Sequence, residues 1–162
     1  MHSIHDLRAA RHLNGRLEAL IVRGSPRMPA RIITETRAIE RVGLEHDRLG
    51  QRGEAELSTR QVTLIQYEHL AVIAQLARVA HVDPIGLRRN LVVSGINLLA
   101  LKNLKIRVGE SLLEVVGPCH PCSRMEEAIG KGGYAAMRGH GGMTARVLES
   151  GAIRTGDEIH IE

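Results

Sequence analysis

The 162-residue chain contains no phenylalanine and no tryptophan, and its aromatic content is two tyrosines, Tyr67 and Tyr134. Proteins that read single-stranded nucleic acid stack bases on several aromatic side chains, and two tyrosines far apart in sequence cannot supply that surface. Nucleic acid is therefore not an expected partner. Apolar runs approaching the roughly 20 residues of a membrane span are also missing. The start of the chain carries Asp6, Arg8 and Arg11 where a signal peptide would hold its apolar stretch. These absences predict a cytoplasmic protein that does not insert in a membrane. Cysteine is scarce as well: Cys119 and Cys122 are the whole supply. With no export signal, the pair is not expected to form a disulfide framework, and metal, redox or nucleophile chemistry comes forward instead. Lysine is limited to Lys102, Lys105 and Lys131, so 19 of the 22 basic residues are arginine and the formal net charge is +4. Arginine grips phosphate and carboxylate through a planar fork. The charges are scattered, however, and most read as solvated surface.

What is present is an ordinary globular composition, 43% hydrophobic and 25% charged, with a core that must be aliphatic. Residues 1–15 read as a polar N-terminal extension and 16–162 as a single domain. Residues 16–23 and 30–39 read as strands, and residues 40–58 as a long loop with Gly43, Gly50 and Gly53 among charges. Residues 61–65 are strand-like. From Gln66 to His81, Leu70, Ile73, Ala74, Ala77 and Ala80 recur at helical spacing, predicting an amphipathic helix. Strands follow at 90–93, at 105–108 and 111–116 as a hairpin around Gly109-Glu110, at 143–148 and at 157–161, with a short helix at 123–129. Many short strands and few helices predict a mainly β fold of the α+β kind, a barrel or sandwich and not a doubly wound sheet.

Three constellations could carry chemistry. Gly117-Pro118-Cys119-His120-Pro121-Cys122-Ser123-Arg124 lies between a strand and a helix. A thiol there sees unpaired N–H groups and the positive end of the helix dipole, and Arg124 adds charge. A zinc site, a dithiol and a single thiolate that binds a soft metal or carries sulfur all remain open, alongside two cysteines packed in a turn. The second is Gly130 to Gly142, six glycines in thirteen residues with Lys131, Arg138 and His140. Its logic is that of a phosphate cradle, though the same glycines could simply turn the chain. In the third, Arg88-Arg89-Asn90 before Leu91-Val92-Val93, adjacent arginines at a strand start should diverge, so that at most one faces a given ligand.

Taken in order, these pieces resemble the MOSC domain, named after the C-terminal part of molybdenum cofactor sulfurase. Arg88-Arg89-Asn90-Leu91-Val92-Val93-Ser94-Gly95 is similar to that family's Arg-x-Asn-(Ile/Leu)-Val-Val-Ser-Gly stretch, and Pro121-Cys122 matches its cysteine. Gly43 to Arg48, Arg60 to Ile65 and Gly156-Asp157 support the match. His46 stands where related sequences often have Gly before Asp-Arg. The resemblance implies a closed β-barrel with a few peripheral helices. It implies a pterin-based molybdenum cofactor whose metal is held by Cys122, with Arg88 and Asn90 binding the cofactor; Arg124, Arg138 and His140 are further candidates on local chemistry. Family members of this kind reduce N-hydroxylated small molecules, an oxidoreductase activity, while sulfurase-linked members hand sulfur to the cofactor; a non-catalytic cofactor-binding module is the third reading. Partners implied are a separate electron-donor protein or a sulfur-transfer partner. Pyridoxal phosphate belongs to a different domain and is not expected in this chain. With so few aromatics, only Tyr134 could lend a ring to the substrate pocket.

Overall fold

The computed structural model describes residues 3–4, 14–48 and 58–162. Most of the expected N-terminal extension, and residues 49–57 of the expected long loop, lie outside the described residues. The strands are β1 (Gly15–Val22), β2 (Arg31–Ile33), β3 (Glu35–Ile39), β4 (Gly43–Leu44), β5 (Val62–Gln66), β6 (Leu91–Ser94), β7 (Lys105–Val108), β8 (Ser111–Pro118), β9 (Met143–Glu149), β10 (Gly151–Arg154) and β11 (Glu158–Ile161). The helices are α1 (Tyr67–Ala77), α2 (Arg124–Ile129) and α3 (Gly133–Met137), with 3-10 turns at Pro84–Leu87 and Leu98–Leu101.

Seven strands close into a barrel in the order β1-β11-β7-β8-β9-β5-β6 and back to β1. Every pairing in the ring is antiparallel except β5 with β6. That parallel pair needs a crossover connection, and α1 with the Pro84–Leu87 turn provides it. β2 pairs with the C-terminal half of β1, and β10, β3 and β4 form a small side sheet.

The lack of aromatics and the barrel suit each other. A barrel of about eight strands leaves an interior just wide enough for side chains, and here it is filled by Leu17, Leu20, Leu64, Leu91, Val93, Leu113, Val115, Ala145, Val147 and Ile159, all buried. Leu17 and Leu20 both face inward although three positions apart. The alternation of a regular strand forbids that, and a bulge in β1 between Leu17 and Ala19, opposite β6, allows it. A second apolar layer, Ile21, Ile65 and Val92 with Ile73, Leu87, Met125 and Met137, packs the helices against the outside. β5 and β6 are thus covered on both faces, which is why Val62–Gln66 is buried at all five positions.

Several elements differ from the sequence expectation for identifiable reasons. The strand expected over 30–39 is two, because the chain leaves the barrel at Thr34 to join the side sheet. The helix expected to reach His81 stops at Ala77, where Arg78 adopts a left-handed conformation (φ 57°) and returns its N–H to the carbonyls of Ala74 and Gln75. The glycine-rich stretch contains α3, and β10 was not anticipated. Among the described residues no helix is long and apolar enough to cross a membrane.

Candidate functional site

A cavity of ≈ 300 Å³ lies where the C-terminal ends of β1 and β8 meet the starts of β5 and β6. Its polar wall is Arg23, Asp47, Arg48, Thr63, Arg88, Arg89 and Asn90, its apolar wall Ile21, Val22 and Ala30, and Cys119 and Cys122 complete it. The size is at the lower end for small-molecule sites. Four arginines against one carboxylate give its wall a net positive charge.

Each wall residue is held by recognisable backbone logic. Arg23 follows the last residue of β1; its N–H donates to Asp47 Oδ1 (2.9 Å) and its carbonyl accepts from Arg48 N–H (2.7 Å), so the end of β1 and the 43–48 turn form one unit. His46 turns that loop with φ 63°. This is the left-handed region that glycine adopts without steric cost, so His46 holds the turn against its own backbone preference. The Arg23 guanidinium is pushed below its usual pKa first by burial and then by the charges of Arg88 and Arg124, with Asp47 opposing. Three cations converge on this corner, one of them Arg124, which is exposed and outside the cavity wall.

Arg88 and Arg89 do not diverge as adjacent strand residues would. Arg88 is in the left-handed region (φ 60°) before β6 begins, so strand alternation does not apply and both border the cavity. Their roles differ. Arg89 is buried, and its Nε donates to Gly141 O (2.6 Å), Nη1 to Leu87 O (2.8 Å) and Nη2 to Cys119 O (3.1 Å) and His120 O (3.4 Å). It clamps the cysteine loop to the glycine-rich loop. Asn90 is a tie as well: its Oδ1 accepts from the N–H and hydroxyl of Thr63 (both 3.0 Å), and its Nδ2 donates to Ile21 O (3.1 Å), linking β1, β5 and β6.

Cys122 is exposed and Cys119 half-buried, both as free thiols. Cys122 sits just before Ser123, the cap of α2, and its carbonyl accepts from Met125 N–H (3.0 Å). Burial pushes the Cys119 thiol above its ordinary pKa, with Arg89 and Arg60 opposing. The two thiols therefore differ: one open, the other desolvated and held protonated.

The glycine-rich stretch supports the cavity from behind. A Cβ on Gly141 would collide with Cys119 O, and one on Gly142 (φ 88°) with Leu64 O. These glycines allow the loop to press against β5 and the cysteine turn, and Cys119 N–H donates to Gly142 O (2.9 Å). Arg138 is exposed and outside the cavity wall, and so is Tyr134, 42% exposed. His140 instead faces His69, Nδ1 to Nδ1 3.4 Å. Of the sequence candidates, the structure thus brings Cys122, Arg88 and Asn90 together and leaves Arg124, Arg138 and His140 outside the wall. Arg23 was missed; the signal was a cation closing an apolar strand just before Gly24-Ser25-Pro26.

Solved structures share this fold. The YuaD protein from Bacillus subtilis aligns with a TM-score of 0.79 at 20% identity, covering 94% of this chain and 98% of that one. YiiM from Escherichia coli aligns at 0.66 and 20% identity (91% and 69% covered), and YiiM from Geobacillus stearothermophilus at 0.70 and 14% (91% and 75%). No curated protein matches the chain. The MOSC family is associated with the molybdenum cofactor. Residues 32–160 match the MOSC domain, and with the closed barrel described above the chain belongs to the MOSC domain family.

Proposed function

We propose that this protein binds the pterin-based molybdenum cofactor in the Cys119–Cys122 cavity and, with it, reduces N-hydroxylated small molecules. The observation that carries the reading is the exposed Cys122 thiol in one cavity with Arg23, Arg48 and Arg88. Among the described residues no group of three or more His, Cys, Asp or Glu side chains converges to hold a metal. A metal seated by one or two thiols must therefore arrive with most of its own ligands. A metal chelated by a pterin dithiolene fits that donor set, and its phosphate fits the arginines. When bound, the cofactor supplies the two-electron change that converts an N–OH group to N–H with release of water.

The chain's own residues do the rest. Cys122 Sγ is the soft ligand, open to the cavity. Arg23 and Arg88 hold the anionic end, and the Asp47 contact to the Arg23 N–H fixes where that end lies. Arg89 sets the position of the cysteine turn through backbone carbonyls and takes no direct part. The apolar wall of Ile21, Val22 and Ala30 selects substrates by aliphatic shape, since no aromatic ring is found among the described residues that line the cavity. Electrons come from a separate donor protein.

The test is the molybdenum content of protein purified from a cofactor-making host, beside Cys122→Ala with its fold checked by circular dichroism. Near-stoichiometric metal in the wild type and at least a tenfold loss in the variant are expected. Equal metal in both would overturn the ligand assignment. Molybdenum without turnover of any hydroxylamine, given a chemical reductant, would leave a binding module, and a sulfur adduct on Cys122 without molybdenum would make the protein a sulfur carrier.

A further inference from the structure

The wall of the cysteine cavity continues onto the surface as one short arm. From Arg23 to Thr34 the chain holds three arginines at a spacing of four, Arg23, Arg27 and Arg31, and no acidic residue. Two of the five prolines, Pro26 and Pro29, stiffen it. Met28 N–H donates to Ser25 O (3.2 Å), closing a turn with Pro26 at its second position. Ala30 lines the cavity, and Arg31 pairs in register with Val22 of the same wall, so the arm borders the cavity. Arg27 and Arg31 are exposed, and among the described residues neither has an acidic partner. Arg16, Arg107, Arg146 and Arg154, by contrast, are each paired with a glutamate. Interleaved with the two free arginines are Met28 and Ile32, 59% and 55% exposed. Arg124 adds a further cation, near enough to depress the Arg23 pKa.

Large apolar side chains set among unpaired cations are the composition of a protein contact. Methionine and arginine are enriched at such interfaces and lysine is depleted, and the arm carries no lysine. We propose that Arg27, Met28, Arg31 and Ile32 form the docking surface of the electron donor, an acidic one-electron carrier protein that seats beside the cavity. This rests on the cofactor reading above for what the electrons do, but not for the contact itself. Reducing one N–OH group to N–H takes two electrons and two protons and releases water, so two reduced carriers must bind and leave in each turnover. Their contact must therefore be brief. Encounters of this kind bury less than about 1,200 Å² and are steered by charge. Cationic side chains speed the arrival of an acidic carrier, and an apolar centre of only two residues lets the spent carrier go.

The probe is an acidic flavodoxin, titrated into the metal-free full chain and followed by the chain's amide signals in nuclear magnetic resonance. Shifts are expected to cluster at residues 24–33, and affinity to fall at least tenfold between about 0.03 and about 0.3 M ionic strength. Arg27→Glu and Arg31→Glu should each weaken binding at least tenfold at low salt. Lys102→Glu, which changes the net charge equally, should weaken it less than about twofold. Met28→Ser should weaken binding and leave its salt dependence as in the wild type. In molybdenum-loaded protein the two arginine variants should lower kcat/KM for reduced flavodoxin, while turnover with reduced methyl viologen stays unchanged. Shifts spread evenly over the surface, an effect of Lys102→Glu equal to that of the arginine variants, or binding to anionic lipid vesicles in preference to flavodoxin would overturn the docking surface. The two readings fail separately: clustered shifts in a protein that takes up no molybdenum keep the surface and overturn the cofactor, and viologen-driven turnover without clustered shifts does the reverse.

Discussion

Replacing Arg89 by methionine removes a buried guanidinium that holds three segments by their carbonyl oxygens. Three of its bonds, to Gly141, Leu87 and Cys119, lie between 2.6 and 3.1 Å. A hydrogen bond from a charged donor contributes about 1.5–3 kcal/mol, so the three together contribute about 4.5–9 kcal/mol. Burying the cation costs several kcal/mol in return, and the same desolvation is the main reason the Arg89 pKa is lowered. Methionine refills the stem of the side chain and avoids that cost, but it leaves the three carbonyls with no donor. The balance is a loss of about 3 kcal/mol. In a domain of this length that lowers Tm by roughly 6–12 °C. Urea unfolding should show a lower midpoint with an unchanged m-value, the mark of altered stability without altered compactness. Arg89→Lys restores the charge but not the fork, and so should recover only part of the loss. A stability for Arg89→Met within about 0.5 kcal/mol of wild type, the range of a surface change, would refute the clamp.

Three further outcomes concern the residues in and around the cavity. His46→Gly should stabilise the protein by about 0.5–1 kcal/mol, because relief of the left-handed backbone outweighs the added freedom of the unfolded chain; His46 is exposed, and a drop in Tm would contradict this. Iodoacetamide near neutral pH should modify Cys122 well before Cys119, as read by peptide mass spectrometry, since burial keeps the Cys119 thiol protonated to higher pH. The sign of the linkage follows: the unfolded chain gives up the Cys119 proton first, so stability falls as pH rises past the ordinary thiol range, and Cys119→Ser should lessen that fall. Equal modification of both cysteines at neutral pH would contradict the difference between them.

The legibility of this protein in its sequence varied with how local the signal is. β1, the β7–β8 hairpin and α2 were readable because runs of aliphatic residues end at Gly, Pro or a two-residue turn. α3 was not, because Gly133 reads as a breaker; it is buried, and a Cβ there would meet the backbone of Met125 at 2.5 Å. The strand break at Thr34 and the loss of the last turn of α1 were decided by tertiary partners, the side sheet and the left-handed Arg78. At the site, Cys122, Arg88 and Asn90 came through the family resemblance. Arg23 could not, since it joins them only when β1 lies beside β6. The arginine pair illustrates the limit best: nothing in Arg88-Arg89 tells which faces the ligand and which is buried as a strut, and a backbone angle at Arg88 decides it.

The closure of the ring has a consequence for how the molecule is made. Among the described residues β1 meets β11 through two residue pairs, Gly15 with Ile159 and Arg16 with Glu158, with Leu17 N–H donating to Asp157 O (2.9 Å) beside them and Asn14 Nδ2 donating to Glu158 Oε1 (2.6 Å) across 144 positions of sequence. Loop-closure entropy grows slowly, so this separation costs only about 2 kcal/mol more than one a tenth as long. The burden falls on time instead: until the last strand arrives, the sheet has two open edges of unpaired N–H and C=O groups, and such edges recruit other chains. A nascent or partly unfolded molecule is therefore most exposed to aggregation at the seam between β1 and β11, on the side of its strand order farthest from β5 and β9.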